Sequence, residues 1–276
     1  MKTIREEKVG KATVRLLEMK GGYAGVVIAA GTTTAPLRND DPDELWRELL
    51  AQVRQSSPSY FGYDGARKRF LGMFPDGFAG QPFVAEERAY KRAAADLLDK
   101  CLPLARAADA TEADCREVVK VYNKTNLLSL FEAAKLRDLL HGKEGPGFVR
   151  SAAAFAAGDV SEGLKGMERA LMTQGQASWP TATYLPFLWA PERHMFLKPM
   201  VTREFAERVG HDFAHAYSAS FHPDVYAALL DLARETREHL TDLEPRDNID
   251  IQSFVWIVGA YTEKDAEALK AKAEPA

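Results

Sequence analysis

Over the first 55 residues the apolar positions change period, and the change separates a sheet from a helix. Thr13, Arg15 and Leu17 alternate with Val14, Leu16 and Glu18, and a second apolar run follows from Tyr23 to Ala30. Between them stands Gly21-Gly22. A tight hairpin turn needs positive φ, which glycine adopts without steric cost, so the two runs predict a β-hairpin. Thr32, Thr33 and Thr34 are placed to begin a third strand. Asp40-Asp41-Pro42-Asp43-Glu44 then supplies a capping aspartate, a proline near the first helical position and acid in the first turn. All three favour a helix N-terminus. The spacing of Leu45, Trp46, Leu49, Leu50 and Val53 predicts a helix over 42–54 that covers one face of the hairpin.

Beyond Gln55-Ser56-Ser57-Pro58-Ser59, read as a hinge, helical spacing dominates. Asp64 is the expected cap of a helix over 65–74, with Ala66, Phe70, Met73 and Phe74 on one face. A second helix is expected over 83–102, with Tyr90, Ala94, Leu97, Leu98 and Cys101 inward. Thr111 and Asp114 form a possible capping box for an element that either runs to His141 or breaks near 123–126. Further helices are expected at 147–156, 159–173 and 179–189, the last interrupted by Pro186. Thr202 caps one that ends at Gly210, and Pro223 opens a long one reaching about Leu243. From Asn248 to Gly259 the period fits either a helix capped by Asp247 or a buried strand. The tail from Thr262 reads as a solvated helix.

These elements predict an α+β, predominantly α-helical fold: a small N-terminal β-hairpin/α unit over 1–57, followed by a multi-helix domain over 58–276. The element order over residues 12–54 is similar to that of small antitoxin-type domains of the HicB class. The resemblance implies a partial double-stranded-RNA-binding-domain fold for that unit and assigns no functional residue.

Composition narrows the class. A chain of 276 residues with 46% hydrophobic and 28% charged residues can bury a full core. Cys101 and Cys115 form no CxxC, and Met1 is followed by charge instead of an apolar core, so a reduced, soluble, cytoplasmic protein is expected. No apolar run approaches the roughly 18 residues of a membrane span, and no membrane partner is expected. Charge is asymmetric: residues 1–150 carry 24 Lys+Arg against 21 Asp+Glu, whereas residues 151–276 carry 12 against 19. An anionic partner would therefore meet the first half.

Two groups of residues are candidates for function. From Tyr60 to Tyr90, eight aromatics fall within 31 residues, interleaved or followed by Arg67, Lys68, Arg69, Arg88, Lys91 and Arg92. The rings are expected to pack inward and the charges to line a solvated edge that could meet an anionic partner, including nucleic acid. The second group is His194, Lys198, Asp247, Asp250 and Gln252, polar positions among strongly apolar neighbours. They either pair with one another as buried polar groups must, or hold a metal for hydrolysis through His194, Asp247 and Asp250. His211, Asp212, His215 and His222 offer zinc-ligand chemistry without an HExxH motif. The glycine-rich loop from His141 to Gly147 does not fit GxxxxGK and reads as a helix connection; GxSxG and Rossmann fingerprints are also missing.

The leading expectation is thus a non-catalytic binding or regulatory protein whose basic edge could meet an anionic partner, nucleic acid among the candidates. The alternatives are a metal-dependent hydrolase or nuclease, and a protein-interaction module that docks a partner chain on the aromatic stretch. No cofactor and no bound metal are assigned.

Overall fold

The computed structural model describes residues 1–9, 12–29, 31–55 and 59–262. The fold is α+β and mostly helical. The N-terminal sheet is antiparallel, in the order β1 (Lys2–Val9), β2 (Ala12–Met19), β3 (Gly22–Ala29) and β4 (Thr32–Thr33), with β5 (Leu37–Asn39) also paired to β3. The β2–β3 turn is the expected one, with Gly21 at φ +89° and Gly22 at φ +134°. β1 precedes the element order on which the HicB-type resemblance rests. Its residues from Lys2 to Lys8 are exposed on both faces, so nothing selected an alternating pattern there. Its register comes entirely from pairing with β2, Glu6 opposite Arg15 and Glu7 opposite Val14.

Helix α1 (Pro42–Gln55) is capped by Asp41, whose carboxylate accepts from the backbone N–H of Asp43 and Glu44. Leu45, Trp46 and Leu49 close over Val14, Leu16 and Val27 in a cluster of buried side chains separate from that of the helical body. The expected hinge includes residues 56–58, which lie outside the described residues, as does the tail beyond Thr262.

The helical body opens with α2 (Gly62–Met73). Its N-cap is Phe61, so Asp64 sits within the first turn and does not cap it. A single turn at Gly77–Ala79 leads to a long helix, α3, made of Gln81–Phe83, a π-helical turn Val84–Arg88 and Ala89–Cys101. Then follow α4 (Glu112–Tyr122), α5 (Leu130–His141), α6 (Gly145–Ala157), α7 (Val160–Met172) and α8 (Trp179–Trp189). The chain therefore breaks after Tyr122, because Ser129 and Glu132 form a second capping box that starts α5 afresh. Pro186 does not interrupt α8; the helix carries it internally, entirely buried.

The last layer is α9 (Pro199–Val209), α10 (Pro223–His239) and α11 (Asn248–Ala260). α9 begins before Thr202, which is buried inside it, and ends at Gly210 in the left-handed region as expected. α11 settles the ambiguous period in favour of a helix: Asp247 accepts from the N–H of Ile249, and residues Asn248 to Val255 are all buried. A helix enclosed on every side shows no amphipathic stripe, which is why its period is unreadable.

The aromatics of α2 and α3 do face inward. Phe70 packs 4.9 Å from Phe78, 5.7 Å from Phe83 and 5.2 Å from Phe254 of α11, ring centroid to centroid. Tyr63 stacks 4.0 Å from His239. These rings knit α2 and α3 onto α10 and α11 within the helical body.

α6 and α7 form a close antiparallel pair in which Gly163 faces Phe155. A Cβ on Gly163 would lie 2.6 Å from the Phe155 Cβ and 2.7 Å from its backbone nitrogen. Backbone cannot rotate away as a side-chain tip can. Gly163→Ala is therefore expected to destabilise by about 1–3 kcal/mol, read as a lowered urea midpoint at unchanged slope. A midpoint equal to that of the unmodified chain would show that the two helices can separate freely.

Candidate functional site

The π turn of α3 determines what the helix presents to α11. By widening one turn it lets Arg88 meet α11 while Glu87, adjacent in sequence, meets Lys91 and Tyr261, just beyond the end of α11. Arg88 grips Asp247 as a two-pronged fork, Nη1 to Oδ1 at 2.7 Å and Nη2 to Oδ2 at 2.7 Å, and also donates to Asp250 Oδ1 at 2.8 Å. Asp250 is completely buried. It accepts in addition from the backbone N–H of Arg246 and from its Nε, each at 2.9 Å, and from its Nη2 at 3.2 Å. Burial would push the Asp247 carboxyl up, but the Arg88 fork outweighs it and holds the group below the usual carboxylate range. Two guanidinium groups and two carboxylates thus lock the N-terminus of α11, where the helix dipole itself favours negative charge.

One turn further along α3, Lys91 is 1% exposed. Its Nζ donates to Glu87 Oε2 at 3.1 Å and to Ser253 Oγ at 2.8 Å, and Ser253 passes its own proton to the Ile249 carbonyl at 2.8 Å. Tyr261 donates its hydroxyl to the other oxygen of Glu87. Burial pulls the Lys91 ammonium below the ordinary lysine range, against the opposing pull of Glu87.

This network forms one wall of a cleft of about 160 Å³. Glu86, Glu87, Tyr90 and Lys91 come from α3, and Gln252 and Trp256 from α11. Asn126, Phe196, Lys198 and Tyr261 complete the enclosure. Lys198 donates to the Leu127 carbonyl at 3.2 Å and to Glu132 at 3.3 Å, which ties the cleft to the start of α5. Gln252 differs from its neighbours. It is 4% exposed, and its amide oxygen has no hydrogen-bond partner among the described residues. Buried polar groups are nearly always paired, so this oxygen is an exception among the residues that line the cleft.

The two candidate groups read from the sequence partly merge here. Arg88 and Lys91 of the basic group lie against Asp247, Asp250 and Gln252 of the polar group, and Lys198 stands among the cleft's lining residues. The expectation of a solvated basic edge is corrected for Arg88 and Lys91: both are drawn inward because α11 offers them carboxylates and a hydroxyl. Arg67 pairs with Asp242, Arg69 donates to the Tyr261 carbonyl, and Arg92 pairs with Asp96 at 2.7 Å. Lys68 is exposed.

His194 does not enter the cleft. Its Nε2 donates to the Ala156 carbonyl at 3.0 Å, which leaves Nδ1 to accept from the Tyr226 hydroxyl at 3.1 Å. Burial holds the ring below the ordinary histidine range, so it stays neutral. Only its backbone reaches α11, accepting from Asn248 at 3.1 Å. Of the histidines near residue 211, His211 faces Asp231 and Glu235, and His222 accepts from the N–H of Asp224. Among the described residues no group of three or more His, Cys, Asp or Glu side chains is arranged to hold a metal ion, and no helix is long and apolar enough to cross a membrane.

Glu86, Glu87, Asn126, Leu127, Phe196, Trp256 and Tyr261 are the cleft residues absent from the sequence-derived candidate groups. Glu87 and Lys91 at i and i+4 carry a signal, since that spacing places them side by side on a helix. Tyr261 has none, being brought in only by the end of α11. No protein-family model, no curated protein and no solved structure matches the chain.

Proposed function

We propose that this protein is a binding protein whose site is the cleft between α3 and α11, and that its ligand is a small, uncharged polar molecule. The site lies wholly within residues 58–276, which we propose as the helical domain. The observation that carries the reading is the cleft itself, an enclosed space of about 160 Å³ whose lining combines the Asn126 and Gln252 amides with Tyr90, Trp256 and the balanced Lys91–Glu87 pair.

Charge supports the same choice. Lys91 is balanced by Glu87 and Lys198 by Glu132. Such a cleft does not concentrate anions. An anionic macromolecule lying along the whole basic stretch is less favoured, because Arg67, Arg69, Arg88, Lys91 and Arg92 each already hold an acceptor. A hydrolase built on His194, Asp247 and Asp250 is less favoured too, because guanidinium groups occupy both carboxylates and His194 serves Tyr226.

The test is a screen of small neutral heterocycles, amides and polyols followed by NMR, with the side-chain NH₂ of Gln252 and the indole N–H of Trp256 as reporters. Expected are ligands that shift both signals and lose about tenfold or more in affinity with Gln252→Met. Binding that leaves both reporters unmoved, or that survives Gln252→Met unchanged, would remove the cleft from consideration.

A further inference from the structure

Away from the cleft, we infer that β1 is a docking edge and that its partner is a second copy of this chain, joined by antiparallel pairing of the two β1 strands. β1 stands at one end of the strand order and pairs only with β2. Outside that ladder, no backbone group from Lys2 to Val9 is hydrogen-bonded to the backbone of any described residue. The side chains from Lys2 to Lys8 are exposed on both faces, so the edge is open along its length. A row of unpaired N–H and C=O groups is a template for another strand.

The order of charges selects the partner. In a two-fold antiparallel pair one residue faces its own copy, and the others pair on either side of it. Centred on Glu6, the ladder sets Arg5 opposite Glu7 of the second copy and Glu7 opposite its Arg5. Opposite charges directly across two strands stabilise the pair, and like charges destabilise it. Arg5 lies over the Trp46 ring, 4.3 Å from its centroid, and neither Arg5 nor Glu7 makes an ion pair among the described residues. Ile4, 42% exposed, falls opposite Lys8, whose methylene stem covers it. The two Glu6 carboxylates that meet at the centre are each already paired with Arg15 of β2.

Other registers fit less well. Centred on Arg5, the ladder brings Arg5 onto Arg5 and Lys2 onto Lys8. Centred on Glu7, it brings two carboxylates together beside Val14, which offers no cation. Centred on Ile4, the axis falls where the register of β1 against β2 slips, between Thr3 and Arg5. In-register parallel pairing sets every charge against its own copy. Charges and a register slip on an edge strand discourage indiscriminate association; the same charges admit this one arrangement. A ladder from Ile4 to Lys8 is a small contact, below the roughly 1,200 Å² of stable interfaces, so the dimer is weak and concentration-dependent.

The association is measured by sedimentation equilibrium of the full chain from micromolar to millimolar concentration, with amide hydrogen exchange of Ile4 to Lys8 followed over the same range. Arg5→Glu and Glu7→Arg are the variants, with circular dichroism checking that each is folded. Each alone sets like charges face to face twice, and is expected to weaken the dimer about tenfold or more. An equimolar mixture of the two restores both opposite-charge pairs, since one variant supplies two carboxylates and the other two guanidinium groups. The mixture is expected to dimerise as the unmodified chain does, and β1 amides are expected to exchange more slowly at high concentration. Should Arg5→Glu unfold through loss of its Trp46 contact, Glu7→Gln and Glu7→Arg form a graded series in which arginine weakens the dimer more. A chain that stays monomeric at millimolar concentration overturns the inference. So does a dimer that ignores the charge reversals, that a mixture of the folded variants fails to restore, or that leaves exchange in β1 unchanged.

Discussion

Asp250→Ala is expected to cost the helical body about 3–5 kcal/mol, among the largest effects of any single substitution in the chain. The carboxylate is fully buried and accepts from Arg88 and three times from Arg246. Its loss leaves Arg88, itself almost buried, with a single acceptor residue, and frees the backbone N–H of Arg246. The Arg246 side chain is exposed and can turn to water, but Arg88 cannot be solvated without opening the contact between α3 and α11. For a body of some 200 residues the loss corresponds to a melting temperature lower by about 10 °C. Asp250→Asn keeps the shape and part of the hydrogen bonding, so it should fall between alanine and the unmodified chain. Urea unfolding of the three proteins measures the series. A loss below about 1 kcal/mol for Asp250→Ala would mean that Asp247 alone suffices to hold Arg88.

The second large effect concerns Lys91. Lys91→Met strands the Glu87 carboxylate in the core with Tyr261 as its remaining donor, and is expected to destabilise by about 3–5 kcal/mol. The double variant Glu87→Leu, Lys91→Met removes both charges and should recover most of that loss, because a buried ion pair replaced by apolar groups of similar volume is often neutral. The double-mutant cycle isolates the coupling between the two residues. The pH dependence has a definite sign. Burial lowers the folded-state pKa of Lys91 below its unfolded value, so the folded protein holds fewer protons between the two. The stability this group contributes is present above pH 10.5, the ordinary lysine value, and is lost as pH falls through the lowered one. Stability of the unmodified chain relative to the double variant should therefore rise with pH as that ordinary value is approached. A difference that stays flat, together with a double variant as unstable as Lys91→Met, would sink the account of Lys91 as a costly buried ammonium.

Local chemistry made much of the fold legible. Gly21-Gly22, the Asp41 cap and the Thr111–Asp114 box act within a few residues, so turns and helix starts could be read where they stand. β1 escaped because an exposed strand leaves no apolar alternation, and α11 was ambiguous because an enclosed helix leaves no polar face. Lys91 shows why the site was harder. Beside Glu87 at helical spacing it looks like the common solvated pair, and its burial depends on Ser253, 162 positions away. Arg88 and Asp247 are separated by 159 positions, so the sequence marks each as chemically apt while the contact belongs to tertiary packing. Gln252 is legible as a polar residue among apolar ones; its lack of a partner is visible only once the cleft exists.

The π turn at Val84–Arg88 has a consequence for how the chain tolerates change. An extra residue in one turn sets the phase of everything after it. With one residue fewer, an ordinary helical turn would rotate Tyr90, Lys91, Ala94 and Leu98 by about 100° relative to Glu86 and the preceding ring cluster. Cleft and core would lose alignment together, although no side chain had changed its chemistry. At this point the protein is specified by a count of residues as much as by their identity: single substitutions can be absorbed, while the loss of one codon would shift the whole reading frame of the helix surface.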